Sequence, residues 1–177
     1  MQKSKKKIGS IFLIEGFSGS GKTTFSKAFF EIIKKKIGKT VVLSGDDFRK
    51  ALNLNKYKKK DRIKNSHIFS KLINLLSEKN INVIFSIVGL NNEVRKIYKK
   101  NIKKLFLIFI DSQIKKILEK KKKNKVYKTK KNIVGIDIRP EFPKNPDFKM
   151  YNDFSDNFNE QITELVNSKK FKKFIKC

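Results

Sequence analysis

Apolar and polar positions fall along this chain in blocks of two kinds. Ile11–Glu15 is a short apolar run closed by a charge, a pattern that predicts a buried strand. Phe25, Ala28, Phe29, Ile32 and Ile33 then recur at three- and four-residue spacing. They predict a helix over Lys22–Ile37, with Gly38 suited to its C-terminal cap. Thr40–Leu43 predicts a second strand ending at Ser44-Gly45-Asp46-Asp47. Phe69, Leu72, Ile73 and Leu76 predict a helix over about Arg62–Lys79, and Val83–Val88 and Leu105–Ile110 predict a third and a fourth strand. Asn92–Lys103 and Gln113–Lys123 predict the intervening and following helices. Phe158, Ile162, Leu165 and Val166 mark a C-terminal one. Strands apolar on both faces, alternating with amphipathic helices, imply an α/β fold: a parallel sheet with helices on both sides.

Two segments fit no regular period. Lys120–Lys131 is strongly basic and contains Tyr127. Gly135–Phe148 holds all three prolines and the acids Asp137, Glu141 and Asp147. Together they are expected to form a basic lid, at about 120–150, beside the sheet's active edge. With 177 residues and no linker or repeat, one domain over 1–177 is expected, its C-terminal segment at 151–177 helical.

Composition narrows the function. Only 38% of the residues are hydrophobic, but 16 Phe supply large core side chains. One Cys, at the end of the chain, excludes a disulfide framework, a multi-cysteine zinc site and an iron–sulfur cluster, and Cys177 reads as an inert tail residue. No apolar run approaches the roughly 20 residues that span a bilayer. The Ile8–Ile14 run is short and leads into a glycine loop rather than a cleavage site. A cytoplasmic protein with no membrane partner is therefore expected. The net charge of +28 would draw anions, including nucleotides and nucleic acids. It is spread throughout the chain, and no nucleic-acid-binding motif accompanies it, so no specific nucleic-acid partner is expected.

The chemistry is carried by Gly16-Phe17-Ser18-Gly19-Ser20-Gly21-Lys22-Thr23, which matches the phosphate loop G-x-x-x-x-G-K-[ST] between a predicted strand and a predicted helix. Glycines let the backbone N–H groups turn toward phosphate oxygens, and the helix N-terminus adds a favourable dipole. Lys22 reaches the β- and γ-phosphates, and the Thr23 hydroxyl is the expected Mg²⁺ ligand. ATP and Mg²⁺ are thus the expected cofactors, held by Gly16, Ser18, Gly19, Ser20, Gly21, Lys22, Thr23 and Thr24. The loop alone does not separate a GTPase, a motor, a transporter ATPase and a small-molecule kinase, although no guanine-reading N-K-x-D segment occurs. Asp111 ends an apolar run and could serve as a metal carboxylate, but Asp111-Ser112 better suits the cap of the next helix. Asp46 and Asp47 lie at the carboxyl end of a strand, where ligands gather in open parallel sheets. A carboxylate there could take a hydroxyl proton or hold a metal-bound water.

Over about residues 8–150 the chain resembles the adenylylsulfate kinase family. Gly16–Thr24 is similar to the family's GLSGSGKS/T, and Leu43-Ser-Gly-Asp-Asp-Phe-Arg49 to its L-D-G-D-N-x-R. Asp61-Arg62-Ile-Lys-Asn65 is similar to D-R-x-x-N. Val134-Gly-Ile-Asp137 with Glu141-Phe-Pro-Lys-Asn-Pro-Asp147 is similar to T-G-I-D-x-P-Y-E-x-P-x-N-P-E. The resemblance implies transfer of the γ-phosphoryl group of ATP to the 3′-hydroxyl of adenylylsulfate, giving 3′-phosphoadenylylsulfate. It implies Asp46 as the catalytic carboxylate and metal-site residue beside Lys22 and Thr23. It also implies Arg49, Arg62 and Asn65 as contacts to the acceptor, and Tyr57 in place of a base-stacking Phe. Ile133 would form the second face of the base sandwich, with Asp137 closing the site and Lys125 or a neighbour as the basic lid residue. His67 is expected to be structural. Family members are often dimers, so a homodimer is one expectation from the resemblance.

The departures concern the acceptor. Ser44 stands for the first Asp of D-G-D-N and Asp47 for its Asn. Val88-Gly89-Leu90 replaces I-S-P and removes the Ser at which some members are phosphorylated. Ile133 replaces an aromatic, and Pro140 a Tyr. The same fold can act on another nucleotide, such as a cytidine diphosphate derivative (cytidine diphosphoramidate) in surface-polysaccharide modification. A basic nucleic-acid-binding protein and a non-catalytic P-loop protein are the alternatives from another class.

Overall fold

The computed structural model describes residues 7–120, 131–155 and 157–176. The expected basic lid positions around Lys125 and Tyr127, and Cys177, lie outside the described residues. Five strands, β1 (Ile11–Glu15), β2 (Thr40–Ser44), β3 (Asn82–Ile87), β4 (Leu105–Asp111) and β5 (Phe148–Tyr151), form one sheet in the order β2-β3-β1-β4-β5. All neighbouring pairs are parallel, with Leu13 level with Phe85 on one side and Leu107 on the other. The helices among the described residues are α1 (Lys22–Ile37), α2 (Gly45–Ala51), α3 (Lys59–Glu78), α4 (Asn92–Asn101), α5 (Ile114–Lys120), α6 (Phe158–Asn167) and α7 (Lys169–Lys176).

Alternation along β1 divides the core into two layers. Phe12 and Ile14 pack with Phe25, Phe29 and Ile33 of α1, Ile162 and Leu165 of α6 and Phe171 of α7. Ile11 and Leu13 face the other way, toward Phe69 and Ile73 of α3 and Val94 and Tyr98 of α4. The phenylalanines explain how a chain so poor in apolar residues builds this core. Phe12 meets Phe29 edge-on at 5.2 Å and stacks on Phe171 at 5.8 Å. Burying each such ring is worth about 1.5–3 kcal/mol. A third cluster, Phe17, Leu90, Phe109, Ile117 and Val134, lies at the carboxyl end of the sheet and seats the phosphate loop.

Several elements differ from expectation. A short helix not marked by the apolar pattern follows β2: α2 starts at Gly45, where Ser44 and Asp47 form a reciprocal capping box. Residues 148–151 are not the end of a lid loop but an added edge strand, β5, which pairs with β4. The preceding segment, 131–147, is a strap bonded to the sheet's end. Glu141 N–H donates to Leu90 O, and Asp147 N–H to Leu107 O. Asp111 does not cap α5: it is the last residue of β4 and pairs with Lys149 at 2.8 Å. His67, expected to be structural, lies exposed on α3. The C-terminal helix is two helices, parted at Ser168, whose Oγ accepts from Phe171 N–H.

Candidate active site

The phosphate loop joins the buried end of β1 to the first turn of α1. Gly21 caps α1 at φ 92°, a left-handed conformation that glycine adopts without strain. A Cβ at Gly21 would also stand 2.6 Å from the Phe158 ring and 2.7 Å from Asn152 Nδ2. The first turn of α1 carries no acid and its last turn carries Lys34, Lys35 and Lys36, so its N-terminus is left to favour an anion. Lys22 Nζ donates to Gly16 O at 3.0 Å and Phe17 O at 2.6 Å, lying across the loop it serves.

A cleft of about 420 Å³ opens over this loop. Ser18, Gly19 and Gly21–Thr24 line one side and Gly45, Asp46 and Arg49 another, so Asp46 shares a cleft with Lys22 and the Thr23 hydroxyl. The side chain of Asp46 is 87% exposed and touches Arg49 Nη1 at 3.3 Å. One hydroxyl and one carboxylate suit Mg²⁺, which takes few protein oxygens and completes its shell with phosphate and water. Bound there, the ion would neutralise charge on the transferring phosphate. Among the described residues, no cluster of three His, Cys, Asp or Glu could hold a metal by itself.

Asp47 has a different task. Its Oδ2 accepts from Ser44 N at 2.7 Å and from Ser44 Oγ at 2.8 Å, while Ser44 Oγ accepts from Asp47 N–H. The two departures at 44 and 47 therefore occur together as one helix cap. Asp46 is left as the carboxylate of this segment that lines the cleft.

The residues expected to contact an acceptor lie in a second region. Arg49 lies 5.2 Å from the Tyr57 ring centre and 5.8 Å from that of Phe69, and its buried Nε has no partner among the described residues. Arg62 donates through Nε to Tyr57 O at 3.0 Å and through Nη2 to Asn132 O at 3.1 Å, joining the approach to α3 to the strap. Burial, and then the neighbouring Arg49, push the Arg62 guanidinium down to about 10. Two guanidiniums line one small hollow with Ser66, Ile87, Val88 and Gly89. Asn65 is buried on α3 beside Ser66.

The base sandwich is not arranged as expected. Lys131 and Asn132, not Ile133, line the groove of about 780 Å³ with Tyr57. Ile133 is buried, and its N–H donates to Asp137 Oδ2 at 2.8 Å in a tight turn over 133–138. One oxygen of Asp137 is engaged in that turn.

Three further residues line the cleft and were not anticipated. Asn152, buried just after β5, donates through Nδ2 to Ser20 O at 2.9 Å and accepts from Phe154 N–H at 2.8 Å. Phe154 and Phe158 line the cleft with it. No local pattern marks Asn152. The aromatic at 154, held at φ 70° by the Asn152 turn, becomes visible only from the backbone.

A parallel sheet in this order, with a phosphate loop leaving its central strand, has the fold of a P-loop kinase. Residues 8–151 match the sequence profile of the family described as adenylylsulphate kinase, and the chain belongs to that family. Cytidine diphosphoramidate kinase of Campylobacter jejuni is 28% identical over 88% of this chain and 94% of its own. Adenylyl-sulfate kinase of Clostridium acetobutylicum is 29% identical over 96% of this chain and 88% of its own. The structure of the Mycobacterium tuberculosis APS kinase in complex with AMPPNP and APS superposes with a TM-score of 0.78 at 25% identity, covering 90% of this chain and 96% of that one. The protein is a phosphotransferase of a family that uses ATP. No described helix is long and apolar enough to cross a membrane.

Proposed function

We propose that the chain transfers the γ-phosphoryl group of ATP to a sugar hydroxyl of a nucleotide carrying a doubly anionic group, with the 3′-hydroxyl of adenylylsulfate as the first reading. The observation that carries it is the pairing of Arg49 and Arg62. Two adjacent guanidiniums repel one another, one keeps an unpartnered donor, and an anion between them would relieve both costs. The cleft at the phosphate loop lies beside them and shares Arg49. In this reading ATP lies along residues 16–24, with Mg²⁺ at Thr23 and Asp46. Lys22 turns from the loop carbonyls to the phosphates. Asp46 takes the hydroxyl proton as the acceptor oxygen attacks in line with the leaving ADP oxygen. Arg49, Arg62 and Asn65 hold the acceptor, and the ring of Tyr57 takes its base.

A specific observation supports a second acceptor. With Ile133 turned inward, the base would stack on Tyr57 alone and face the polar Asn132. A pyrimidine has less stacking surface to lose than a purine, so this groove also suits a cytidine nucleotide such as cytidine diphosphoramidate. The test is transfer of labelled γ-phosphate from ATP, with Mg²⁺, to adenylylsulfate and to cytidine diphosphoramidate in parallel. Dominant transfer to the first supports the sulfate-activation reading. Dominant transfer to the second keeps the mechanism and replaces the acceptor. Transfer to neither refutes both.

A further inference from the structure

Glu15 ends β1 one residue before the phosphate loop and is completely buried. Its Oε2 accepts from Arg95 Nη1 at 2.9 Å, whereas Oε1 has no hydrogen-bond partner among the described residues. A pair serving stability alone would be expected to have both oxygens bonded, since an orphaned buried oxygen is costly. The orphan oxygen faces Gly89. A Cβ at Gly89 would lie 2.7 Å from Oε1 and 2.8 Å from Ile87 Cδ1. Gly89 has no left-handed φ, so the need for glycine there is one of space. Gly89 stands where the family pattern I-S-P has Ser, and it lines the hollow with Arg49 and Arg62. The carboxylate thus fills from behind the volume that a side chain at 89 would need.

The same ion pair reaches the strap. Arg95 Nη2 donates to Asn92 Oδ1 and to Glu141 O. Glu141 in turn donates its N–H to Leu90 O, accepts from Asn92 N–H at 2.8 Å and pairs with Lys59 at 2.9 Å. One buried carboxylate therefore supports the floor at 88–90 and, through Arg95, the start of α4 and the strap above it.

We infer that Glu15 is a positioning residue for the acceptor: through Gly89 and Arg95 it sets the floor of the Arg49–Arg62 hollow and the seat of the strap, and with Ile87 it crowds the space that a side chain at position 89 would take. The inference rests on that hollow being the acceptor site. Desolvation raises the Glu15 carboxyl to about 7 despite Arg95 and Lys99. The charged and titratable groups facing it are Arg95, Tyr98 and Lys99 on α4, with Arg49 of α2 beyond Tyr98.

The full chain is assayed with ATP and Mg²⁺, using adenylylsulfate and cytidine diphosphoramidate as probes. Glu15→Gln keeps the volume and removes the charge. It is expected to raise the acceptor KM about tenfold or more, a displacement cost of the kind that small misplacements produce, and to leave the Kd for ATP within about twofold. In the wild type, acceptor kcat/KM falls as pH drops through about 7 and Glu15 releases Arg95, and the Gln variant lacks that limb. Gly89→Ala costs much less in a Glu15→Ala background than in the wild type. Amide exchange reads the same geometry without an acceptor: Glu15→Gln speeds exchange at 89–92 and 141 and leaves 16–24 unchanged. Equal losses in ATP and acceptor binding, no loss in either, or an equal cost of Gly89→Ala in both backgrounds overturns the inference. If the wild type phosphorylates neither probe, the functional reading fails, and the exchange pattern alone decides the positioning role.

Discussion

Replacing Asn152 by Ala removes a clasp between the end of β5 and the phosphate loop. Two bonds go: Nδ2 to Ser20 O at 2.9 Å and Phe154 N–H to Oδ1 at 2.8 Å. Asn152 is 1% exposed and Ser20 is fully buried, so water does not readily replace the lost donor. The Phe154 bond contributes about 0.5–1.5 kcal/mol, and the Ser20 carbonyl, buried and left unpaired, costs about 1–3 kcal/mol. Together the substitution should cost about 1.5–4.5 kcal/mol. At about 2–4 °C per kcal/mol for a chain of this length, Tm falls by about 3–18 °C. The Ser20 peptide is part of the phosphate cradle and Phe154 part of the cleft wall, so KM for ATP should rise about tenfold with a smaller change in acceptor KM. Asn152→Asp sharpens the test. It keeps the acceptor for Phe154 N–H but sets a carboxylate against the Ser20 carbonyl, and should be worse than Ala in both Tm and ATP affinity. The assays are a thermal melt and steady-state kinetics varied in ATP. A Tm within about 2 °C of wild type together with an unchanged KM for ATP, or an Asp variant better than the Ala variant, would refute the clasp.

Lys22→Ala should lower kcat by about 10²-fold or more while the melt stays near wild type, because the lost charge acts on the transferring phosphate. Near-normal turnover would deny Lys22 its role. Asp46→Asn should lower kcat by about 10²-fold or more with ATP affinity little changed, the range expected for removing a positioned base. An ATP affinity that falls as far as kcat would make Asp46 a binding residue only. Glu15 also predicts a pH dependence of stability. Its folded pKa, about 7, lies above the unfolded value near 4.5, so the native state binds the extra proton between them. Its contribution is fully present below pH 4.5 and is lost as pH rises through 7, about 3 kcal/mol in all. Denaturant titrations at pH 5 and 7.5 should show this slope in the wild type and a flatter one in Glu15→Gln; equal slopes would place the ionisation elsewhere.

Much of this protein could be read from local pattern. The phosphate loop is contiguous, and its chemistry needs only a strand before it and a helix after it. β1, β3 and β4 are continuous apolar runs, and α1 and α3 carry their apolar faces at helical spacing, so the period alone located them. The start of α2 was also written in the chain, as Ser44 with Asp47 three residues on, although the acids there suggested chemistry before capping. β5 was harder: four residues with Lys149 among them, following three prolines, have too little apolar character to announce an edge strand.

Tertiary structure decided what depends on groups far apart in the chain. Asn152 serves Ser20 from 132 positions away, Arg95 meets Glu15 from 80 and Arg62 meets Asn132 from 70. None of these partners has a local signature, because a hydrogen bond or ion pair constrains only the two ends that meet. The position of Ile133 was decided the same way, within the turn that Asp137 closes, and with it the lining of the groove beside Tyr57. Local pattern determined where the phosphate loop lies, since the loop, the strand before it and the helix after it are contiguous. The hollow at Arg49 and Arg62 depended on packing across the sheet's edge, which brings α2, α3 and the floor at 88–90 into one place.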